Sequence, residues 1–163
     1  MPPAGDDVLA FLAERRYAVL ATHGPDGGIH LTPIWFLFED DRFYFESFSG
    51  SVKVKNLGRI ASASVVVDAR RPGDERWVSA SGSVEILGGA DAQAVNSRIR
   101  RRYLTDEALA DERIEPVFGA ADDVTIVLTP TRWRSWTVKG LDEQSFGGIL
   151  GATPERWFLP LEA

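Results

Sequence analysis

Ser49-Gly50-Ser51-Val52-Lys53-Val54-Lys55-Asn56-Leu57 stands where one periodicity gives way to another. Residues 42–47 alternate as a strand does, and residues 53–60 read as a short helix. Backbone N–H groups and the positive end of the helix dipole then converge near Ser49 and Ser51. With small hydroxyl residues and two lysines at that point, the segment reads as an anion site that a phosphorylated cofactor would fit. The competing reading is a polar turn with two solvated lysines, and for the segment taken alone it is the more economical of the two. The flanking sequence decides between them.

Upstream, Asp6 or Asp7 can cap a first helix running to about residue 15, with Val8, Leu9, Phe11 and Leu12 as its apolar stripe. Residues 17–22 form a short apolar strand. Gly24-Pro25-Asp26-Gly27-Gly28 turns the chain back as a hairpin into residues 29–38, a strand apolar on both faces and so expected to be covered on both sides. Downstream, residues 62–69 carry Val65-Val66-Val67, and Arg71-Pro72-Gly73-Asp74 turns into a long strand, residues 76–87. Gly82 inside that strand marks a bulge or a close backbone approach. Asp91 caps a helix to about residue 103, Thr105 caps another to about 114, and residues 124–138 return to strand spacing with Pro130 as an interruption. The pattern is six strands with three or four helices, expected as a mostly antiparallel closed barrel in a single domain over residues 1–163. The tail is glycine-rich and then aromatic, and its apolar side chains predict packing across a subunit interface or over a pocket.

Composition narrows the function. A chain of 163 residues, 44% hydrophobic and 26% charged, is long enough to bury a real core. No apolar run reaches the roughly 18–20 residues that span a bilayer, and residues 1–7 lack a basic-then-apolar leader, which predicts a cytoplasmic protein with no membrane partner. A net charge of −6 argues against nucleic acid as a partner. The one basic run, Arg98-Ile99-Arg100-Arg101-Arg102, reads mainly as a solvated helix face, part of which can meet an anionic ligand or a partner subunit.

The absence of cysteine removes disulfides, thiolate nucleophiles and cysteine-ligated metals, so redox chemistry must come from a cofactor. The two histidines, His23 and His30, have no ligand-spaced neighbours, so no metal site is expected. His23 reads as an exposed loop residue and His30 as a structural or hydrogen-bonding group beside Thr32, with proton transfer as its alternative. No G-x-S-x-G, G-x-G-x-x-G or Walker A segment is present, which argues against a serine hydrolase, a Rossmann site and a P-loop. No catalytic residue is assigned.

Three segments in order, Thr32-Pro33-Ile34-Trp35-Phe36, Ser51-x-Lys53-x-Lys55-Asn56-Leu57 and Trp77-Val78-Ser79-x-Ser81-Gly82-x-Val84-Glu85-Ile86, resemble the pyridoxamine 5'-phosphate oxidase-like split-barrel superfamily. The likeness is greatest to its branch of flavin/deazaflavin oxidoreductases that use coenzyme F420, and it covers residues 8–86 well. It implies a mainly β (α+β) split β-barrel and a homodimer with cofactor sites in clefts between subunits. At the matching positions Lys53 and Lys55 would meet phosphate, with Ser49, Ser51 and Asn56 nearby. Thr32, Pro33 and Ile34 would lie along the flat ring, Trp35 at the pocket wall, and Ser47, Ser79 and Ser81 near the cleft. Core packing is the competing reading for Trp35 and Trp77, and for Trp35 it weighs equally with the cleft. Many deazaflavin relatives carry arginine where this chain has Lys55, and the lysine lacks the bidentate fork. Arg59, Arg70, Arg71 and Arg76 are candidate cations for an anionic cofactor tail. The activity implied is hydride transfer from F420 to a small-molecule acceptor: an activated double bond, a quinone or a tetrapyrrole. FMN-dependent oxidase or reductase chemistry, and non-catalytic binding of flavin, deazaflavin or haem, are the alternatives.

Overall fold

The computed structural model describes residues 5–118 and 122–161. The N-terminal residues 1–4, read as lacking a targeting pattern, lie outside the described residues. The chain runs α1 (Asp6–Ala13), β1 (Ala18–His23), β2 (Ile29–Ile34), β3 (Leu37–Glu39), β4 (Arg42–Phe48), α2 (Val52–Arg59), β5 (Ser62–Ala69) and β6 (Arg76–Leu87). It continues through α3 (Gly89–Tyr103), α4 (Asp106–Leu109), β7 (Asp123–Thr137), α5 (Val138–Ser145), α6 (Ile149–Ala152) and α7 (Pro154–Trp157). No helix among the described residues is long and apolar enough to cross a membrane.

The seven strands form one antiparallel sheet in the order β2-β1-β5-β6-β7-β4-β3. Its two outer strands, β2 and β3, are separated by Trp35 and Phe36 alone. Three residue steps reach about 10 Å at most, so the sheet has to roll until its edges nearly meet. Among the described residues no ladder joins β2 to β3. The barrel is therefore split, and the chain itself bridges the gap where the sequence pattern predicted hydrogen-bonded closure.

That bridge corrects the expectation of one continuous strand over residues 29–38. The backbone leaves the sheet at Trp35, and the Tyr103 hydroxyl takes its place: it accepts from Phe36 N at 3.2 Å and donates to Arg16 O at 2.6 Å. The Trp35 ring stacks on Tyr103 with centroids 5.0 Å apart and planes within 2°. Nor is β2 covered on both faces, because it is an edge strand. Ile29 and Leu31 remain 55% and 62% exposed, and Pro33 is tolerated there because an edge strand can spare an N–H.

Inside the barrel, Leu20, Phe43, Phe45, Val65, Val67, Val78, Ile126 and Leu128 alternate inward from their strands, and α1 lids one end with Val8, Phe11 and Leu12. Asp6 and Asp7 occupy the first turn of α1, where they suit the dipole, while Gly5 holds the N-cap position. Likewise α3 starts at Gly89 with Asp91 in its first turn, whereas Thr105 does cap α4 through a bond from Ala108 N. The α3 helix packs outside β3 and β4, joining Val95 and Ile99 to Leu37, Tyr44 and Tyr103 in a second core.

Among the described residues seven α-helices exceed the three or four expected, and the extra three follow β7. One buried carboxylate organises them: Asp142 accepts from Leu150 N at 3.1 Å and Gly151 N at 2.8 Å, giving the start of α6 the acceptors it lacks. Pro154 then sits so close to Gly73 that an added Cβ would lie 2.4 Å away, which docks the tail on the β5–β6 turn.

Candidate functional site

The site begins with a cap. Ser51 ends the turn after β4 in extended conformation, and its Oγ accepts from Val54 N at 3.4 Å, opening α2. The same hydroxyl lies 3.0 Å from Ser47 Oγ, tying the helix start to the end of β4. Lys53 is the second residue of α2. The helix has no acidic residue in its first turn, so the lysine charge sits against the positive end of the dipole, an arrangement that favours an anion.

Lys53 lines a cleft of about 400 Å³, a size ordinary for small-molecule sites. It is lined by Thr32, Pro33, Ile34 and Trp35, the end of β2 and its exit, by Glu46, Ser47 and Phe48 from β4, and by Lys53 from α2. Tyr17, Val117, Phe118 and Asp123 complete it. Burial lowers the Lys53 ammonium below its ordinary value, and among the described residues no carboxylate pairs with it. A half-buried cation without an ionic partner, facing a cleft beside a flat apolar wall, fits a phosphorylated ring cofactor.

The structure thus gathers Thr32, Pro33, Ile34, Trp35, Ser47 and Lys53 on one cleft, with Ser51 immediately behind. Trp35 serves both readings made for it, lining the cleft and stacking on Tyr103. Ser49, Lys55 and Asn56 lie outside the lining. Two residues along a helix turn about 200°, so Lys55 points away from Lys53 and into solvent. Asn56 is buried: its Nδ2 donates to Thr22 Oγ1 at 3.1 Å, fastening α2 to β1, and its Oδ1 accepts from Arg59 within α2. Ser79 and Ser81 stand on the outer face of β6, away from the cleft. Of the proposed tail cations, Arg59 is spent on Asn56, Arg70 on Asp68, and Arg76 on Asp7 and the Phe11 ring; none of these or Arg71 lines the cleft. His23 is exposed, and His30 Nε2 lies 2.8 Å from Thr32 Oγ1.

The arginine run is a solvated face only in part: Arg98 and Arg101 are exposed, while Arg100 turns inward. Arg100 is 7% exposed and bonds Glu46 Oε1 through both Nε, at 2.8 Å, and Nη2, which also reaches Asp123 Oδ2 at 2.9 Å. Its guanidinium lies 4.6 Å from the Phe118 ring. Arg102 donates to the carbonyls of Leu12 and Glu14, and Arg98 pairs with Glu39. Burial raises the Glu46 carboxyl above its usual range, with Arg100 opposing the shift and Asp123 adding to it. The sequence reading passed over Glu46, Asp123, Tyr17 and Phe118; for Glu46 a signal existed, a carboxylate amid the apolar alternation of β4.

A rolled, split antiparallel barrel of this strand order is a split barrel of the pyridoxamine 5'-phosphate oxidase-like kind. The pyridoxamine 5'-phosphate oxidase family matches residues 4–137, and the chain belongs to it; as a member it is an oxidoreductase. The chain is 32% identical over 127 residues to an F420H2-dependent biliverdin reductase of Mycobacterium tuberculosis, covering 72% of this chain and 88% of that protein. Among solved structures it is similar to a conserved hypothetical protein of the same organism, 28% identical with a TM-score of 0.69 over 85% of this chain and 88% of that one. An F420 reductase matches at 27% identity and a TM-score of 0.62, over 82% of this chain and 98% of that one.

Proposed function

We propose that the cleft binds the deazaflavin coenzyme F420 and that the protein uses it to reduce a conjugated small-molecule acceptor. The observation that carries this reading is Lys53: a lysine drawn into a cleft, lowered by burial and lacking a carboxylate partner, is a charge whose complement is a ligand anion. When bound, the cofactor supplies a hydride from its reduced ring. Lys53 holds the phosphate, Ser47 and Ser51 set the start of α2 against it, and Thr32–Trp35 give the ring a flat apolar wall that excludes water. Orienting donor and acceptor in this way is worth effective molarities of about 10⁵–10⁸ M. The F420H2-dependent biliverdin reductase among the relatives makes F420 the first cofactor to test and biliverdin the first acceptor, ahead of quinones and enones.

Titration with F420 and with FMN, followed by fluorescence at fixed salt, tests the assignment. Lys53→Ala is expected to weaken F420 binding by about 1.5–3 kcal/mol, roughly 10- to 150-fold. It should not cost stability. Because the folded lysine has a depressed pKa, the unfolded state holds more protons between that value and 10.5, and stability rises with pH through that window. At neutral pH, removing the charge therefore leaves the melting temperature unchanged or higher. Unaltered F420 affinity would sink the phosphate role, and preference for FMN would move the protein to flavin chemistry. F420 binding without turnover of any acceptor would make it a carrier.

The reading includes a homodimer. The outer face of β2-β1-β5-β6 carries Ile29, Leu31 and Pro33 beside Val19 and Ala21, then Val66 and the bonded pair Ser64 and Ser81, and no helix among the described residues covers it. A flat face of small and apolar side chains suits a second copy of itself. Sedimentation equilibrium should return twice the chain mass, and Leu31→Glu should return the chain mass; a monomeric parent protein would overturn the arrangement.

A further inference from the structure

We propose that Glu46 is the proton donor that accompanies hydride transfer in this cleft, presenting its Oε2 to the acceptor while Arg100 holds Oε1. The proposal rests on the oxidoreductase reading above and adds the group that reading leaves unnamed.

Reduction of a conjugated acceptor needs two deliveries. A hydride forms the new C–H bond, the displaced π pair moves to the conjugated nitrogen or oxygen, and that atom must take a proton. The two electrons come from the reduced deazaflavin, whose remaining ring proton leaves to solvent. The Glu46 carboxylate left by donation is reprotonated from solvent, so atoms and charge balance.

Four protic titratable side chains line the cleft: Tyr17, Glu46, Lys53 and Asp123. Tyr17 is 64% exposed, and Lys53 is the residue the reading above assigns to phosphate. The two carboxyls converge on Arg100, whose bonds to Glu46 both end on Oε1; among the described residues no donor is bonded to Oε2. The planar guanidinium, itself buried and over the Phe118 ring, fixes through Oε1 a carboxyl that lines the cleft, and Oε2 is the oxygen it does not hold. The charge of nearby Asp123 opposes ionisation of Glu46. Glu46 thus meets Arg100 from α3, Asp123 from β7, and Lys53 of α2 and Tyr17 before β1 across the cleft. Burial acts in the same direction, so Glu46 keeps its proton to higher pH than a free glutamic acid does. Proton donation is then available below that raised pKa and is lost as pH climbs through it.

Glu46→Gln preserves shape and an oxygen for Arg100 but has no proton to give. The test measures F420 affinity, the rate of biliverdin reduction against pH, and the infrared stretch of protonated carboxyl in the cofactor-free protein. Expected are an F420 affinity close to that of the parent, kcat lower by about 10²–10⁴-fold, and loss of the parent's alkaline limb. The protonated-carboxyl band should titrate in the parent with the midpoint of that limb and be missing from the variant. Asp123→Asn gives a second reading: with the opposing charge gone, the limb and the band should both move to lower pH. A Glu46→Gln protein that binds F420 and reduces biliverdin at the parental rate overturns the donor role and leaves the cofactor reading standing. So does a parent protein with no titrating band. A parent protein that binds neither F420 nor FMN overturns both readings.

Discussion

Arg100→Met is expected to destabilise the protein by about 3–5 kcal/mol at neutral pH, the cost of leaving buried charge without its partner. Methionine fills much of the same volume against Phe118, so the loss is electrostatic rather than a cavity. Glu46 and Asp123 would remain close together in a partly buried site without the guanidinium that now bonds both. The pH dependence separates this account from simple misfolding. Already in the parent, burial raises Glu46, and in the variant the opposing effect of Arg100 is gone, so its folded pKa climbs further above the unfolded value. The folded state then binds more protons than the unfolded one between those values, and stability falls as pH rises through that window. Urea unfolding of Arg100→Met should therefore show its largest deficit at neutral and alkaline pH and recover on acidification toward the ordinary glutamate range. A deficit that does not change with pH would mean that Arg100 contributes packing and not charge.

Arg100 also shows why the site was only partly legible in the sequence. Along α3 the buried residues are Ala92, Val95, Asn96, Ile99 and Arg100, the spacing of an apolar stripe. An arginine on that stripe has to be paired or solvated, and the run of arginines around it drew the eye toward solvation. The stripe was readable; the partners were not, because Glu46 and Asp123 lie 54 and 23 residues away and the sheet alone brings them together. Local signals fared better. Ser51 before Val52 marked the start of α2, Gly24 to Gly28 marked the hairpin, and the alternation of β1, β4, β5 and β6 marked strands whose inward residues became the core. Residues 29–38 misled for a physical reason. Both faces there are apolar because they serve three masters: the core through Phe36 and Leu37, the cleft through Ile34 and Trp35, and an outer face through Ile29 and Leu31. The resemblance matched Lys53 and Lys55 alike to phosphate, and helical geometry sets the two about 200° apart, so that Lys53 alone lines the cleft.

Gly82→Ala is expected to cost more than about 3 kcal/mol, beyond the usual range for an added methyl in a packed site. Gly82 faces Pro130 where the β6–β7 register slips, so that Ser81 pairs with Arg132 and Thr131 is left over as the bulged residue, its Oγ1 donating to Ser81 O at 3.2 Å. A Cβ on Gly82 would lie 1.9 Å from Thr129 O and 2.8 Å from the carbonyl carbon behind it. Those are backbone atoms of the longest strand, which β4 also pairs, so they cannot swing aside as a side chain does. Proline is accommodated opposite because Pro130 lies past the last β4 pairing, at Leu128, where one edge of β7 is open. The chain thus places its smallest residue against the backbone beside Pro130, where the β6–β7 register shifts. Gly58→Ala supplies the contrast. Gly58 lies within α2, where a new Cβ meets nothing within 4 Å, and alanine there should stabilise by up to about 1 kcal/mol through helix propensity. Chemical denaturation of the two variants should move in opposite directions. A Gly82→Ala protein as stable as its parent would show that the bulge is pliable and that close backbone contact is not what requires glycine there.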